Sequence, residues 1–280
     1  MTGAAGPTVR WMTMRRMRSR TAGKPSSRCV TRSRPRARLR AVRQELLDKR
    51  SSEIQRMFGR IAHRYDLLNR VLSLGQDVRW RRLVARRVAA VGPARVLDVC
   101  TGTGDIALGL EPGPTIIGVD FSLPMLSLAR PKARDRQRPL LLSVADALSL
   151  PMADASVDVV TVAFGVRNFE DLECGLDELI RVLRPGGTLL VLEFSRPRGL
   201  FGPLLGWWVR TVPPRLGRMI SGDSEAYQYL PASVGAFADV ESMCRILGGL
   251  GLERIEAKAL TGGVCTLYQA VRPAIRRETT

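Results

Sequence analysis

One stretch constrains this chain more than any other: Arg95-Val96-Leu97-Asp98-Val99 runs straight into Cys100-Thr101-Gly102-Thr103-Gly104-Asp105. A short β-branched run that ends at spaced glycines reads as a strand entering a sharp turn, because glycine takes up the turn's backbone angles without a Cβ penalty. Helical patterning over residues 105–110 follows, so strand, turn and helix come in the order that opens a doubly wound α/β sheet. Asp120 lies 22 residues beyond Asp98, at the end of the next apolar run. In nucleotide-binding sheets a carboxylate about 20 residues downstream accepts hydrogen bonds from two ribose hydroxyls. Gly102 and Gly104 would let the backbone approach such a ligand closely.

The rest of the chain continues the alternation. Strands are predicted at 115–119, 140–144, 157–163 and 187–194, with helices at 122–130 and 170–183 between them, which argues for a mostly parallel, Rossmann-like sheet. Upstream, Ile54, Met57, Phe58 and Ile61 fall at helical spacing, and a second helix is predicted from Asp77 to Val91. A Pro- and Gly-punctuated insertion covers 197–235. A helix near 238–249 and two apolar runs, 252–258 and 264–272, complete a domain drawn as 51–275, with 276–280 as a short tail.

The turn alone does not choose its ligand, since Gly102-x-Gly104-x-x-Ala107 also satisfies a loose dinucleotide fingerprint. Asp98 separates the alternatives. An acid just before the loop suits the α-ammonium group of S-adenosylmethionine, whereas a pyrophosphate would meet like charge there. Asp146-Ala147 follows the strand at 140–144, where an adenine ring would lie. In isolation Asp146 reads as a solvated loop residue; in the series Asp98, Asp120, Asp146 after three successive strands, it reads as an acceptor for the adenine amino group.

Composition excludes several classes. The single histidine, His63, rules out imidazole metal clusters, and the five scattered cysteines lack a C-x-x-C pair, so no metal is expected and the thiols are expected free in a reducing cytosol. No apolar run approaches the roughly 20 residues that span a bilayer. The net charge of +18 suggests nucleic acid until it is located: residues 1–50 carry 15 Lys and Arg against Glu45 and Asp48, +13 of the total. That segment is too poor in apolar residues to fold alone and is predicted to be a disordered tail. Its Arg-rich, acid-poor makeup also resembles a transit peptide, or the translated upstream region of an over-extended start codon. Arginine outnumbers lysine 40 to 4, a bias that goes with a GC-rich genome and favours the start-codon reading. The segment after the fourth strand lacks the Asn/Asp-Pro-Pro-aromatic pattern of base N-methylation, and no Pro-Cys nucleophile is present. A nucleic-acid substrate is therefore not expected.

Two further stretches carry a resemblance. Tyr65-Asp66-Leu67-Leu68-Asn69-Arg70 with Trp80-Arg81, and Arg184-Pro185-Gly186-Gly187 leading to Leu192-Glu193-Phe194-Ser195, resemble signatures of the ubiquinone/menaquinone biosynthesis C-methyltransferase family. Phe164-Gly165-Val166-Arg167-Asn168-Phe169, Tyr227-Gln228-Tyr229-Leu230 and Leu260-Thr261-Gly262-Gly263 are similar to further family segments. The Arg-Pro-Gly-Gly turn is common to many methyltransferases. The others are more specific.

The resemblance implies a class I S-adenosylmethionine-dependent methyltransferase fold, with Thr103, Asp120, Asp146 and Ala147 at cofactor-binding positions and Arg167 and Asn168 as the active-site pair. Ala163 stands where many members carry serine, which removes one hydroxyl contact worth about 1 kcal/mol. The implied substrate is a polyprenyl quinol, either demethylmenaquinol, towards which this reading leans, or a methoxybenzoquinol. A ring carbon activated by its neighbouring hydroxyl would attack the sulfonium methyl. Arg167 and Asn168 would orient that hydroxyl. Arginine stays protonated and is a poor base, so His63 and Tyr65 are the alternative proton acceptors or relays. Read alone, His63 is equally a surface or capping residue and Arg167 half of an ordinary ion pair. The tail of such a substrate lies in a bilayer, so a cytoplasmic enzyme in transient contact with the inner membrane is expected. Leu200–Arg210, with Trp207 and Trp208 flanked by arginine, suits an interfacial segment, or equally a pocket cap. Homo-oligomerisation stays open.

Overall fold

The computed structural model of the chain describes residues 73–197 and 233–274 throughout, with Arg10–Trp11, Thr211 and most positions of 56–71. The expected insertion from 198 to 232, including Leu200–Arg210 and Tyr227–Leu230, lies outside the described residues apart from Thr211, as does the basic segment 1–50 apart from Arg10–Trp11.

An eight-stranded sheet forms the centre. Its strands are β1 (Arg10–Trp11), β2 (Arg95–Val99), β3 (Thr115–Asp120), β4 (Leu141–Val144), β5 (Val157–Ala163), β6 (Leu183–Phe194), β7 (Glu253–Leu260) and β8 (Cys265–Val271), in the spatial order β1-β4-β3-β2-β5-β6-β8-β7. All pairs from β1 to β6 are parallel, while β8 runs antiparallel to both β6 and β7. The two residues of β1 add only a short rung beside Leu141 and Leu142.

Among the described residues, four helices cover the sheet: α1 (Gln76–Val91), α2 (Leu123–Asp135), α3 (Leu172–Val182) and α4 (Val240–Gly249). Alternation along the strands divides the core. Val96, Val159, Leu190 and Leu192 pack with Trp80, Val84 and Val88 of α1 and Leu126 and Ala129 of α2. Leu97, Val160, Val162 and Val191 pack with Leu176 and Leu179 of α3 and Met243 and Leu247 of α4 on the other face. Trp80, Val84 and Val88 recur every four residues, which makes the inner stripe of α1. Each fully buried leucine contributes about 2 kcal/mol through loss of apolar surface from water.

Helix ends follow local chemistry. α1 stops at Gly92, whose φ of 62° suits glycine and whose N–H bonds back to the Ala89 carbonyl. The side chains of Asp171 and Asp239 accept hydrogen bonds from the third helical N–H of α3 and α4, at 3.0 and 2.8 Å.

Three expectations are corrected. The helix predicted over 105–110 is a single 3-10 turn, Ala107–Gly109, because Gly102 and Gly104 at φ 56° and 84° keep the preceding backbone in a turn. α2 runs on through Pro131 to Asp135, held by the buried Ala129 and Ala133. β6 begins at Leu183, not 187. Between the rungs Val157–Leu183 and Val159–Thr188 the Arg184–Gly187 segment bulges out, with Gly186 at φ 78°.

Among the thiols, Cys100, Cys244 and Cys265 are free, as expected. Cys174 departs from that expectation, being disulfide-bonded. No helix among the described residues is long and apolar enough to cross a membrane.

Candidate active site

The chain builds outward from β2 in both directions, through β3 and β4 on one side and β5 and β6 on the other. That reversal opens a crevice beyond the carboxyl ends of β2 and β5, the place where α/β sheets bind ligands. A cleft of about 1040 Å³, mouth included, lies there. It is lined by the ends of four strands: Asp98 to Thr103 after β2, Asp120 and Phe121 after β3, Ala145 to Leu148 after β4, and Ala163 to Gly165 after β5.

Asp98 is buried, and its two oxygens accept the hydroxyls of Thr101 and Thr161, both at 2.6 Å. Burial pushes its carboxyl up to about 6, against the opposing pull of these hydrogen bonds and the charge of Arg81. Asp120 accepts the Gly102 amide at 2.8 Å on one oxygen and the Ser122 amide at 2.8 Å on the other. It too is raised by burial to about 6. These contacts fix both carboxylates at the wall of the cleft. Gly102 has open space where a Cβ would stand, so a ligand can lie against its backbone.

Asp146 is exposed at the rim, where its side chain accepts the Leu148 amide at 3.0 Å; Ala147 beside it is buried. Thr103 lines the cleft, but its hydroxyl donates to Asp66 at 2.7 Å. Asp66 in turn pairs with Lys132, so Thr103 locks the loop to the upstream helical segment.

The four candidates for chemistry separate. Tyr65 and Asn168 line the cleft. Arg167 does not: it is buried behind the floor, where it donates to Glu193 at 2.8 Å and to the Phe164 carbonyl, with its guanidinium carbon 5.6 Å over the Phe194 ring. His63 lies two residues before Tyr65 on the exposed side of the segment and lines no part of the cleft. Tyr65 is also a poor base. Burial raises its phenol above the usual value of 10, although Arg167, Arg81 and Asn69 pull the other way. At neutral pH it is therefore a donor.

Some contributors carried no assigned role in the sequence reading. Glu193 is fully buried at the end of the apolar run of β6. A lone acid in such a strand demands a partner, and that signal was legible. Less legible was the roof of the site, where Arg70, Arg81 and Lys132 converge on Asp105, at 3.1, 3.3 and 3.4 Å. Although burial opposes it, these three cations hold the Asp105 carboxyl below its usual value. The close approach of two loops was also invisible: a Cβ on Gly165 would meet the Cβ and Sγ of Cys100 at 2.6 Å.

Comparison with known proteins fits this geometry. The fold resembles a SAM-dependent methyltransferase of Thermotoga maritima, with TM-score 0.53 and 18% identity over 78% of this chain and 99% of that one. It equally resembles the cyclase SpnF, with TM-score 0.54 and 19% identity over 80% of this chain and 96% of that one. At such identities the likeness speaks for the fold alone.

Sequence relatives are closer. A demethylmenaquinone methyltransferase of Thermus thermophilus is 47% identical over 221 residues, 78% of this chain and all of the relative. One of Deinococcus radiodurans is 49% identical over 219 residues, 77% of this chain and 90% of the relative. The ubiquinone/menaquinone biosynthesis C-methyltransferase UbiE of Syntrophotalea carbinolica is 44% identical over 220 residues, 77% of this chain and 92% of the relative.

The sequence relatives make the chain a methyltransferase, built on the Rossmann-like fold that S-adenosylmethionine-dependent methyltransferases share. Within that class, residues 45–272 match the ubiE/COQ5 methyltransferase family, and the chain belongs to it.

Proposed function

We propose that the chain transfers a methyl group to a ring carbon of a polyprenyl quinol, with demethylmenaquinol as the preferred acceptor and a methoxybenzoquinol as the alternative. The observation that supports this most is the placing of two ligand-ready carboxylates, Asp98 and Asp120, in one cleft with Tyr65 and Asn168.

The residues present fit S-adenosylmethionine. Asp98 is positioned to accept the α-ammonium, Asp120 the ribose hydroxyls and Asp146 the adenine amino group, while Thr103, Gly102 and Gly104 shape the loop beneath and Ala147 packs against the base. When bound, the cofactor supplies an electrophilic methyl on a cationic sulfur. What remains for the chain is alignment, which can lower the barrier by several kcal/mol, and control of the acceptor's hydroxyl. Asn168 and the protonated Tyr65 hold that hydroxyl and direct its ring carbon. Arg167, behind the floor, adds positive charge felt at Tyr65 and so favours negative charge on the acceptor oxygen as its proton passes to solvent water. The acceptor must be the quinol, since an oxidised ring has no hydroxyl to donate electron density.

The pH dependence follows from the two carboxyls. Both sit near 6, and both bind as carboxylates, so protonation below pH 6 competes with the ligand. Affinity for S-adenosylhomocysteine is expected to be at least about tenfold weaker at pH 5 than at pH 7. Calorimetric titration across that range checks it; a flat profile would assign the binding to other groups.

Replacing Asn168 by alanine and Tyr65 by phenylalanine tests the acceptor side. Each is expected to lower kcat by roughly 10²- to 10³-fold while S-adenosylhomocysteine affinity stays within threefold. Retention of full turnover in both variants would overturn their assignment.

A polyprenyl acceptor also brings the cleft to a bilayer surface from the cytoplasmic side. In support, Leu67 and Leu123, 57% and 51% exposed, neighbour the cleft residues Tyr65 and Phe121 in the chain.

A further inference from the structure

Asp66 follows Tyr65 in the upstream helical segment, and its two oxygens engage different parts of the core. Oδ1 accepts the hydroxyl of the buried Thr103 at 2.7 Å, and Oδ2 pairs with Lys132 of α2. One turn on, Arg70 crosses in the same way, to Asp105 at 3.1 Å and to Asp77. Lys132 joins the two crossings, with its Nζ 3.4 Å from the other oxygen of Asp105. Thr103 and Asp105 flank Gly104, so both tethers end on the loop beneath the cofactor site. Neither Asp66 nor Lys132 lines the cleft, and the transfer chemistry uses neither. Stability does not account for the pair: 29% and 28% of the two side chains are exposed, and an ion pair so open to water adds little.

We propose that Asp66 is a positioning residue: tied to Thr103 and Lys132, it fixes the rotation of the helical segment and so sets the hydroxyl of Tyr65 against the acceptor. The inference rests on the reading of Tyr65 as a donor to the acceptor's hydroxyl.

Leverage makes such a tether matter. Helical Cα atoms lie about 2.3 Å from the axis, which puts a tyrosine hydroxyl roughly 9 Å out, and a rotation of roughly 10° then carries it about 1.5 Å. A misplacement of about 1 Å can cost on the order of 10²-fold in rate. Asp66 and Arg70 are four residues apart and share a face, so two tethers a turn apart resist tilting as well as rotation. Because the first tether ends on Thr103, the segment that carries Tyr65 takes its place from the same loop that shapes the cofactor site. Methyl donor and acceptor are thereby kept in one frame.

The test is a double-mutant cycle between Asp66 and Tyr65, read in methyl transfer to demethylmenaquinol by the full chain. Asp66→Asn keeps an acceptor for the Thr103 hydroxyl and removes the charge that holds Lys132. Alone it is expected to lower kcat on the order of 10- to 100-fold. Affinity for S-adenosylhomocysteine is expected to stay within threefold, and the melting temperature within about 3 °C. In a Tyr65→Phe background the same change is expected to cost less than threefold in kcat, because no hydroxyl is left to place. Losses that multiply would overturn the proposal, since Asp66 would then act on something other than Tyr65; so would an unchanged kcat in Asp66→Asn. If that variant does not hold its fold, Lys132→Met reads the same cycle from the other side of the ion pair. A Tyr65→Phe variant with full turnover, or a wild type that transfers no methyl group, would instead overturn the acceptor reading beneath it.

Discussion

Replacing Glu193 by alanine is expected to cost about 3 to 5 kcal/mol of stability, a fall of roughly 6 to 20 °C in melting temperature for a domain of this size. Glu193 is fully buried and accepts from the Arg167 guanidinium at 2.8 Å, from the Phe194 amide at 2.8 Å and from the Arg167 amide at 3.3 Å. Alanine would leave a buried cation without its carboxylate, beside the Phe164 carbonyl and the face of Phe194. Asp154 provides the contrast: it also pairs with an arginine, Arg181, but is 66% exposed. Its replacement by alanine is expected to cost less than about 1 kcal/mol. Thermal unfolding of the two variants side by side checks the account, and equal losses would contradict it. Because Arg167 sets the floor under Phe164 and Asn168, the Glu193 variant is also expected to lose turnover below its melting transition.

Asp98→Asn is expected to separate stability from binding. The Asp98 carboxyl is pushed up to about 6 from 3.8, so ionising it in place costs about 3 kcal/mol relative to water. A neutral amide of the same shape escapes that cost, and whichever of Thr101 and Thr161 faces the amide nitrogen can turn its hydroxyl to accept. At pH 8 the ligand-free variant is therefore expected to melt no lower than the wild type. Its affinity for S-adenosylhomocysteine is expected to fall at least roughly 30-fold, since the charged acceptor for the ammonium is gone. The opposite pattern, a destabilised protein that binds normally, would make Asp98 a structural residue. Strain of this kind, relieved when the ligand binds, is how functional residues commonly oppose stability.

How much of this was legible in the sequence depended on range. Strands β2, β3 and β5 and helix α1 fall within a residue of where periodicity and turn chemistry put them, because each is specified by its own apolar pattern and its own glycine. Helix α2 was cut short at Pro131, since local rules give proline more weight than the burial of Ala133 that carries the helix past it. The series Asp98, Asp120, Asp146 was readable because successive parallel strands all end on one edge of a sheet. Cleft membership depended instead on which way a side chain points. Tyr65 and His63 are two residues apart on a helical segment, so they cannot share a face, yet nothing local says which one faces inward. Arg167 and Asn168 are adjacent and diverge in the same way. The convergence of Arg70, Arg81 and Lys132 on Asp105 joins four segments distant in the chain, and a single sequence holds no signal for it.

The central claim is tested most directly with the full chain, methyl-labelled S-adenosylmethionine, and demethylmenaquinol or 2-polyprenyl-6-methoxybenzoquinol, each in reduced and oxidised form. Label is expected on a ring carbon of a reduced acceptor, with demethylmenaquinol preferred, and on neither oxidised ring. Cofactor binding without label in either quinol would contradict quinol methylation by this chain.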